Sequence, residues 1–217
     1  AIIESWLKHV RQILALAVFV IEKMVLEESS VLVHCSDGWD RTTQICAIAQ
    51  LLLDPYYRTI DGFAVLIEKD WCAFGHKFHD RFGRNRDKPD ERSPIFLQFL
   101  DCVSQIMNQF PTSFEFHQDY LIFLSDHSIS GLFGNFIGNN EKERIQIYNV
   151  TTTTSSIWNY VFARREQFIN HSYNANGERV LWPSVLLYEM RLWSRFWCRW
   201  NLSSNPRNAT QAWKEDW

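Results

Sequence analysis

The sequence predicts an α/β fold, mostly helical and organised around a single strand–loop–helix unit. Three observations predict it. "SVLVH", residues 30–34, is a short β-branched run bounded by polar residues, the composition of a strand buried on both faces. "HCSDGWDRTT", residues 34–43, follows it with a glycine-bearing turn. Beyond that turn, and through most of the chain, apolar residues recur at helical spacing.

The elements follow in order. Trp6, Val10, Ile13, Leu14, Ala17, Ile21, Met24 and Val25 mark residues 4–28 as one amphipathic helix. Its most apolar stretch, 13–21, has about half of the roughly 20 residues that span a bilayer, and Lys8, Arg11, Glu22 and Lys23 flank it. It is read as a helix face, not as a signal peptide. After the turn, Ile45, Ile48, Ala49, Leu52 and Leu53 mark a second helix that ends before Pro55. Helical patterns continue over 60–73, 94–109, 117–133, 156–169 and 184–200. The last places Leu186, Leu187, Met190, Trp193, Trp197 and Trp200 on one stripe, expected to be core. "GRNRDKPDERS" (83–93), "NNEKER" and the Thr151–Thr154 run read as loops, and 203–217 as a disordered tail.

A lone strand raises a question of backbone partners, because sheets rarely have fewer than two or three members. No second strand is legible. The rest of the sheet is therefore expected upstream of Ala1, with residues 1–202 the C-terminal part of a domain.

Composition narrows the classes. A net charge of −3 provides no basic field for nucleic acid or for an anionic membrane. Hydrophobic content of 46% and ten tryptophans argue for a filled core. The five cysteines are odd in number and form no C-x-x-C pair, which argues against a disulfide framework or zinc ribbon and for a reducing, cytoplasmic setting.

Cys35 and Arg41 stand with five residues between them, at the end of the strand and the start of a helix. Backbone N–H groups and the helix dipole converge there, so a thiol is acidified and an anion is held. Cys35 is the candidate nucleophile for phosphorus, and Arg41 grips the phosphate oxygens. The amides of Ser36, Asp37, Gly38, Trp39 and Asp40 complete the cradle, with Gly38 allowing the turn. Thr42 and Thr43 place hydroxyls where they assist thiolate departure. Two acids in an anion site need a reason. Cleaving a P–O bond to an alcohol requires a proton for the leaving oxygen, and Asp40, beside Arg41, is the candidate donor. Asp37 is assigned to fixing the loop or orienting a hydroxyl.

In "FGHKFHDRFG", Phe74, Phe78 and Phe82 fall on one helical face, with Lys77 and Arg81 on the adjacent one. By pattern alone the basic pair reads as solvated charge. His76 and His79 lack a third metal-ligating neighbour, so no metal is expected.

The stretch "HCSDGWDRT" resembles the active-site signature of the myotubularin phosphoinositide 3-phosphatases. The resemblance extends through "LLLDPYYRTIDGFAVLIEKDW", "FGHKFHDRFG", "ERSPIFLQFLDCV", "QFPTSFEF" and "LFGNF", most of residues 1–200. It implies a cysteine-phosphatase (PTP-like) fold and hydrolysis of phosphatidylinositol 3-phosphate and phosphatidylinositol 3,5-bisphosphate through a phosphocysteine intermediate, without cofactor or metal. Cys35 corresponds to the nucleophile, Arg41 to the phosphate-binding arginine and Asp40 to the loop acid. Lys77 and Arg81 correspond to residues that contact inositol phosphates, with Lys77 standing where Arg is common, which weakens a bidentate grip. The resemblance also implies a cytoplasmic protein, peripheral on endosomal membranes through an upstream domain, and homo- or hetero-oligomers within the family. Two alternatives are weighed against it. A protein tyrosine or dual-specificity phosphatase usually carries its acid on a separate upstream loop, whereas here an acid lies inside the Cys–Arg loop. A catalytically weak phosphoinositide-binding scaffold is disfavoured by the intact Cys35–Arg41 pair.

Overall fold

The computed structural model describes residues 2–200. The helical expectation holds for most of its length. Helix α1 is Ile2–Val25, and Val10, Leu14, Ala17, Val20 and Ile21 form its buried stripe. It packs against α2 (Arg41–Leu53) and α5 (Ile95–Gln109). Between them come α3 (Ile60–Ile67) and α4 (Phe78–Arg81), and after them α6 (Gln118–Ser130), α7 (Val150–Thr153), α8 (Ile157–Ala163) and α9 (Ser194–Trp197).

Local chemistry sets the boundaries. Helix α2 stops at Asp54, whose carboxylate accepts from the Tyr56 N–H at 2.9 Å and so starts the Pro55–Arg58 turn. Thr59 caps α3 through the Gly62 N–H at 2.9 Å. That helix widens into a π-helical turn over Glu68–Ala73. Helix α6 ends at Gly131, in the left-handed region at φ +75°. The core lies around α5, whose buried residues (Phe96, Phe99, Leu100, Cys102, Val103 and Ile106 among them) go most of the way round the helix. Phe63, Trp71, Phe78 and Tyr120 close over it.

Four expectations are corrected. "SVLVH" has no regular secondary structure, and no β-ladder among the described residues includes it. Val31 and Val33 turn towards the core while Leu32 is 88% exposed, so one face is buried and not two. A segment without a neighbouring strand has no ladder to join. The expected helix over 184–200 is instead an extended stretch with a turn at Leu187–Glu189 and the short α9. Two glutamines of α5, one turn apart, outcompete helix formation there. Gln105 donates to the Arg191 carbonyl (2.6 Å) and accepts from its N–H (3.0 Å). Gln109 does the same with Ser184, at 3.1 and 2.7 Å. Of the predicted stripe, Met190 and Trp193 are buried and Trp200 is 83% exposed.

Third, Phe74, Phe78 and Phe82 share no continuous helix, because Gly75 adopts φ +82° and breaks the chain between them. Phe78 is buried and Phe74 exposed. Fourth, two predicted loops are helical: "NNEKER" runs into a π-helical turn over Glu143–Ile147, and the threonine run forms α7. Asn140 starts the former by accepting from the Glu143 N–H at 2.9 Å. The predicted tail, 203–217, lies outside the described residues.

Gly62 marks the tightest backbone approach: a Cβ there would lie 1.8 Å from the Tyr56 carbonyl oxygen. Gly62→Ala is therefore expected to destabilise the protein by on the order of 3 kcal/mol, measured as a lowered unfolding midpoint. A midpoint equal to the parent's would mean that the Pro55–Arg58 turn yields freely.

Candidate active site

The loop between residues 35 and 40 ends in α2, and its shape follows from its sequence. Gly38 sits at φ +88°, a conformation costly for any residue with a Cβ. With the chain turned there, the Gly38 N–H donates to Cys35 Sγ at 3.2 Å, and the Thr43 hydroxyl donates to the Gly38 carbonyl at 3.3 Å. Gln44 anchors the start of α2 to α5 by donating to the Ile95 carbonyl at 2.9 Å and to Gln98 Oε1 at 3.3 Å.

Cys35 is half-buried and its thiol is lowered to about 7. The Thr42 hydroxyl is the main cause; burial opposes it, and the N–H groups of Gly38, Asp37 and Thr42 add to it. Thr42 Oγ1 is buried and has no hydrogen-bond partner among the described residues. The other cysteines contrast with this. Burial pushes Cys46, Cys72 and Cys102 upward.

Arg41 is exposed at the rim and donates to Ser36 Oγ at 3.0 Å, and Ser36 in turn donates to Asp37 at 3.0 Å. Asp40 is differently placed. Its Oδ2 accepts from Arg81 Nε at 2.9 Å and lies 2.8 Å from Nη2. Its Oδ1 lies 2.7 Å from Nδ1 of His76, a side chain with no exposed surface. Arg81 also donates to the Glu91 carbonyl and carboxylate, at 2.5 and 2.7 Å. The two acids of the loop thus stand in opposite settings: Asp37 faces solvent, and Asp40 is held by Arg81 with the buried His76 ring against its other oxygen.

Cys35, Asp40, Arg41 and Arg81 line one cleft of about 430 Å³. Ser36, Asp37 and Trp39 line it as well. Lys77 does not. It stands 4.5 Å from the centre of the Trp39 ring, with the Arg81 guanidinium at 4.7 Å from the same centre. Sequence reasoning missed Arg92 and Ser93, which line the cleft from the charged loop at 83–93. The Ser93 N–H donates to the Arg81 carbonyl at 3.0 Å, folding that loop back onto α4. It also missed His76 as a partner of Asp40. The sequence signal was its place one residue before the basic pair. Among the described residues no group of three or more His, Cys, Asp or Glu side chains is arranged to hold a metal.

Comparison with known proteins places this site. A family model described as "Myotubularin-like phosphatase domain" matches residues 3–145. The chain is 43% identical over 207 residues to phosphatidylinositol-3,5-bisphosphate 3-phosphatase MTMR6 of Rattus norvegicus, covering 94% of this chain and 32% of that protein. It is 45% identical over 207 residues to the MTMR2 enzyme of Mus musculus, again 94% and 32%. To the MTMR8 enzyme of Homo sapiens it is 42% identical over 206 residues, 94% of this chain and 29% of that protein. The chain thus spans about a third of the length of the curated relatives it matches. It belongs to the myotubularin-like phosphatase domain family, which implies a PTP-like fold.

The setting of Cys35 gives a direct test. Its alkylation rate is expected to rise with pH with a midpoint near 7. Thr42→Val removes the main stabiliser of the thiolate, so the midpoint should move up towards the ordinary thiol value of about 8.5. An unchanged midpoint would leave the loop amides as the sole cause.

Proposed function

We propose that this myotubularin-like chain carries the catalytic loop of a phosphoinositide 3-phosphatase that acts on phosphatidylinositol 3-phosphate and phosphatidylinositol 3,5-bisphosphate. The observation that carries the reading is the lowered thiol of Cys35, in a loop feeding α2, with Arg41 and Arg81 in the same cleft. The three relatives named above support it, each being a phosphatidylinositol-3,5-bisphosphate 3-phosphatase.

In the proposed reaction the Cys35 thiolate attacks phosphorus, and the electron pair of the breaking P–O bond leaves on the inositol oxygen. Asp40 gives that oxygen a proton. Arg41 and the loop amides of Ser36, Asp37, Gly38, Trp39 and Asp40 hold the equatorial oxygens. Water then attacks the phosphocysteine, releasing inorganic phosphate and the thiolate, with the Thr42 hydroxyl stabilising the departing sulfur. No cofactor takes part. A second phosphate is assigned to Arg81 and Lys77, whose cations meet at Trp39, and Arg92 adds a third charge at the rim. Within a full sheet, residues 30–34 would serve as the strand that presents the loop.

Among the described residues no helix is long and apolar enough to cross a membrane. We assign the protein to the cytoplasm and to the periphery of endosomal membranes, with lipid contact through a region outside this chain and oligomers formed with family members.

In the full-length protein, Cys35→Ser should abolish phosphate release from soluble phosphatidylinositol 3-phosphate while keeping head-group binding, because the amides and Arg41 remain. The parent should turn over that lipid in preference to a phosphotyrosine peptide. Turnover by the Ser variant, or preference for the peptide, would overturn the reading.

Asp40→Asn addresses the proton. An aryl phosphate has a leaving group that needs little protonation, so the variant should lose far more rate on the lipid than on the aryl substrate. Equal losses would make Asp40 a structural partner of Arg81. A selective loss in Asp37→Asn would transfer the role.

A further inference from the structure

His76 is a buried imidazole directly behind the loop. None of its surface is exposed. Its Nδ1 lies 2.7 Å from Asp40 Oδ1 and 3.2 Å from the Trp39 carbonyl oxygen. Both neighbours are acceptors, so Nδ1 carries the proton and donates it to the Trp39 carbonyl, with the Asp40 oxygen alongside. Among the described residues neither Asp40 Oδ1 nor His76 Nε2 has a hydrogen-bond partner, so the contact between Nδ1 and Oδ1 is a close approach and not an aligned hydrogen bond. The ring is held edge-on by Trp71 and Phe78, with centroids at 4.9 and 4.7 Å. Its orientation is therefore fixed by aromatic walls, and its one used nitrogen is aimed at the loop.

The position is informative. Gly75, at φ +82°, breaks the chain immediately before His76, and α4 starts two residues after it. The turn sends the imidazole inward to one oxygen of Asp40, while Arg81, on the helix that follows, reaches the other. A carboxylate gripped by a cation alone would follow Arg81 wherever that side chain moved. A buried ring against the opposite oxygen, on a residue that cannot move, keeps the carboxyl in place when Arg81 turns to a phosphate.

We propose that His76 is a positioning residue: through Nδ1–H it fixes the Trp39 carbonyl, its ring edge stands against the Asp40 carboxyl, and together these aim the acid at the leaving oxygen. This rests on Asp40 acting as the acid, as proposed above. His76 touches no substrate and transfers no proton. Its effect is on where Asp40 stands when Arg81 is engaged by substrate.

The test uses His76→Asn, His76→Gln and His76→Phe in the full-length protein, with soluble phosphatidylinositol 3-phosphate and an aryl phosphate as substrates. The Asn amide nitrogen reproduces Nδ1–H; the Gln nitrogen falls where Nε2 was; Phe keeps the ring and loses the donor. Gln and Phe should lower kcat on the lipid by on the order of tenfold to a hundredfold, the scale of an acid misplaced by about 1 Å, with a much smaller loss on the aryl phosphate. Asn should keep kcat on the lipid near that of the parent. Asn performing no better than Gln, equal losses on both substrates, or no loss at all would overturn the proposal. So would three variants that all fail to fold, which would make His76 a packing residue. Asp40→Asn, measured alongside, separates the two readings. Without a selective loss there, the acid assignment fails and takes this proposal with it. With a selective loss there but no Asn–Gln contrast at position 76, only the positioning role falls.

Discussion

The contact between Asp40 and Arg81 ties the loop to the helical body, and most of the site depends on it. Asp40 is the last residue before α2, and Arg81 closes α4, 41 residues further on. Each of these charge-assisted hydrogen bonds contributes about 1.5–3 kcal/mol when it is made away from bulk water, and both side chains are 15% exposed. The consequence is geometric more than energetic. Asp40 cannot cap α2 with its own carboxylate, which is turned outward to Arg81, and no side-chain cap bond forms there. The first turn of the helix is left to be held by Thr43 and Gln44 instead. Its N–H groups stay open towards an anion.

From this tie the charges of the cleft can be followed outward. Arg81 passes from Asp40 to Glu91, which draws the 83–93 loop onto the cleft and brings Arg92 to its wall. Trp39 lies between Asp40 and Gly38 in sequence and offers its ring to both Lys77 and Arg81. A tryptophan face attracts cations without neutralising them, so the two charges are gathered there and remain available to an anion. Cys35 sits at the other end of the loop, outside these ion pairs. Its thiol answers to the Thr42 hydroxyl and the loop N–H groups, which are fixed by α2. Nucleophile and acid are thus supported by different parts of the fold: Cys35 by the helix that follows it, and Asp40 by α4 and the turn before it.

The segment that leads into Cys35 is the less supported end of this arrangement. Leu32 lies in solvent and no β-ladder includes its neighbours, while α2 is anchored to α5 through Gln44. The loop is therefore held firmly on its C-terminal side, by Gly38, Thr43 and Gln44, and loosely on its N-terminal side. Dispersion and hydrogen bonding act on the first side, and only the half-buried contacts of Val31 and Val33 on the second.

Much of the molecule was legible in the order of its residues. Periodic apolar stripes located α1, α2, α3, α5 and α6, since a helix repeats every 3.6 residues whatever it packs against. The spacing of Cys35 and Arg41 around Gly38 identified the loop, because only a tight glycine turn brings such residues to one anion. Other features needed partners distant in sequence. The C-terminal stripe failed as a helix because Gln105 and Gln109 bond the backbone of 184–191, a competition that no local pattern reveals. Arg92 was one residue of a charged loop until that loop folded back to Arg81. His76 offered only its place next to the basic pair, because what defines it is the distance to Asp40. By itself the sequence determined which residues are chemically able to act, and the helices that carry them, through local propensity and periodicity. Only the tertiary structure decided which of those residues face one another, because burial, ion pairing and backbone competition depend on atoms that the chain brings together only when it folds.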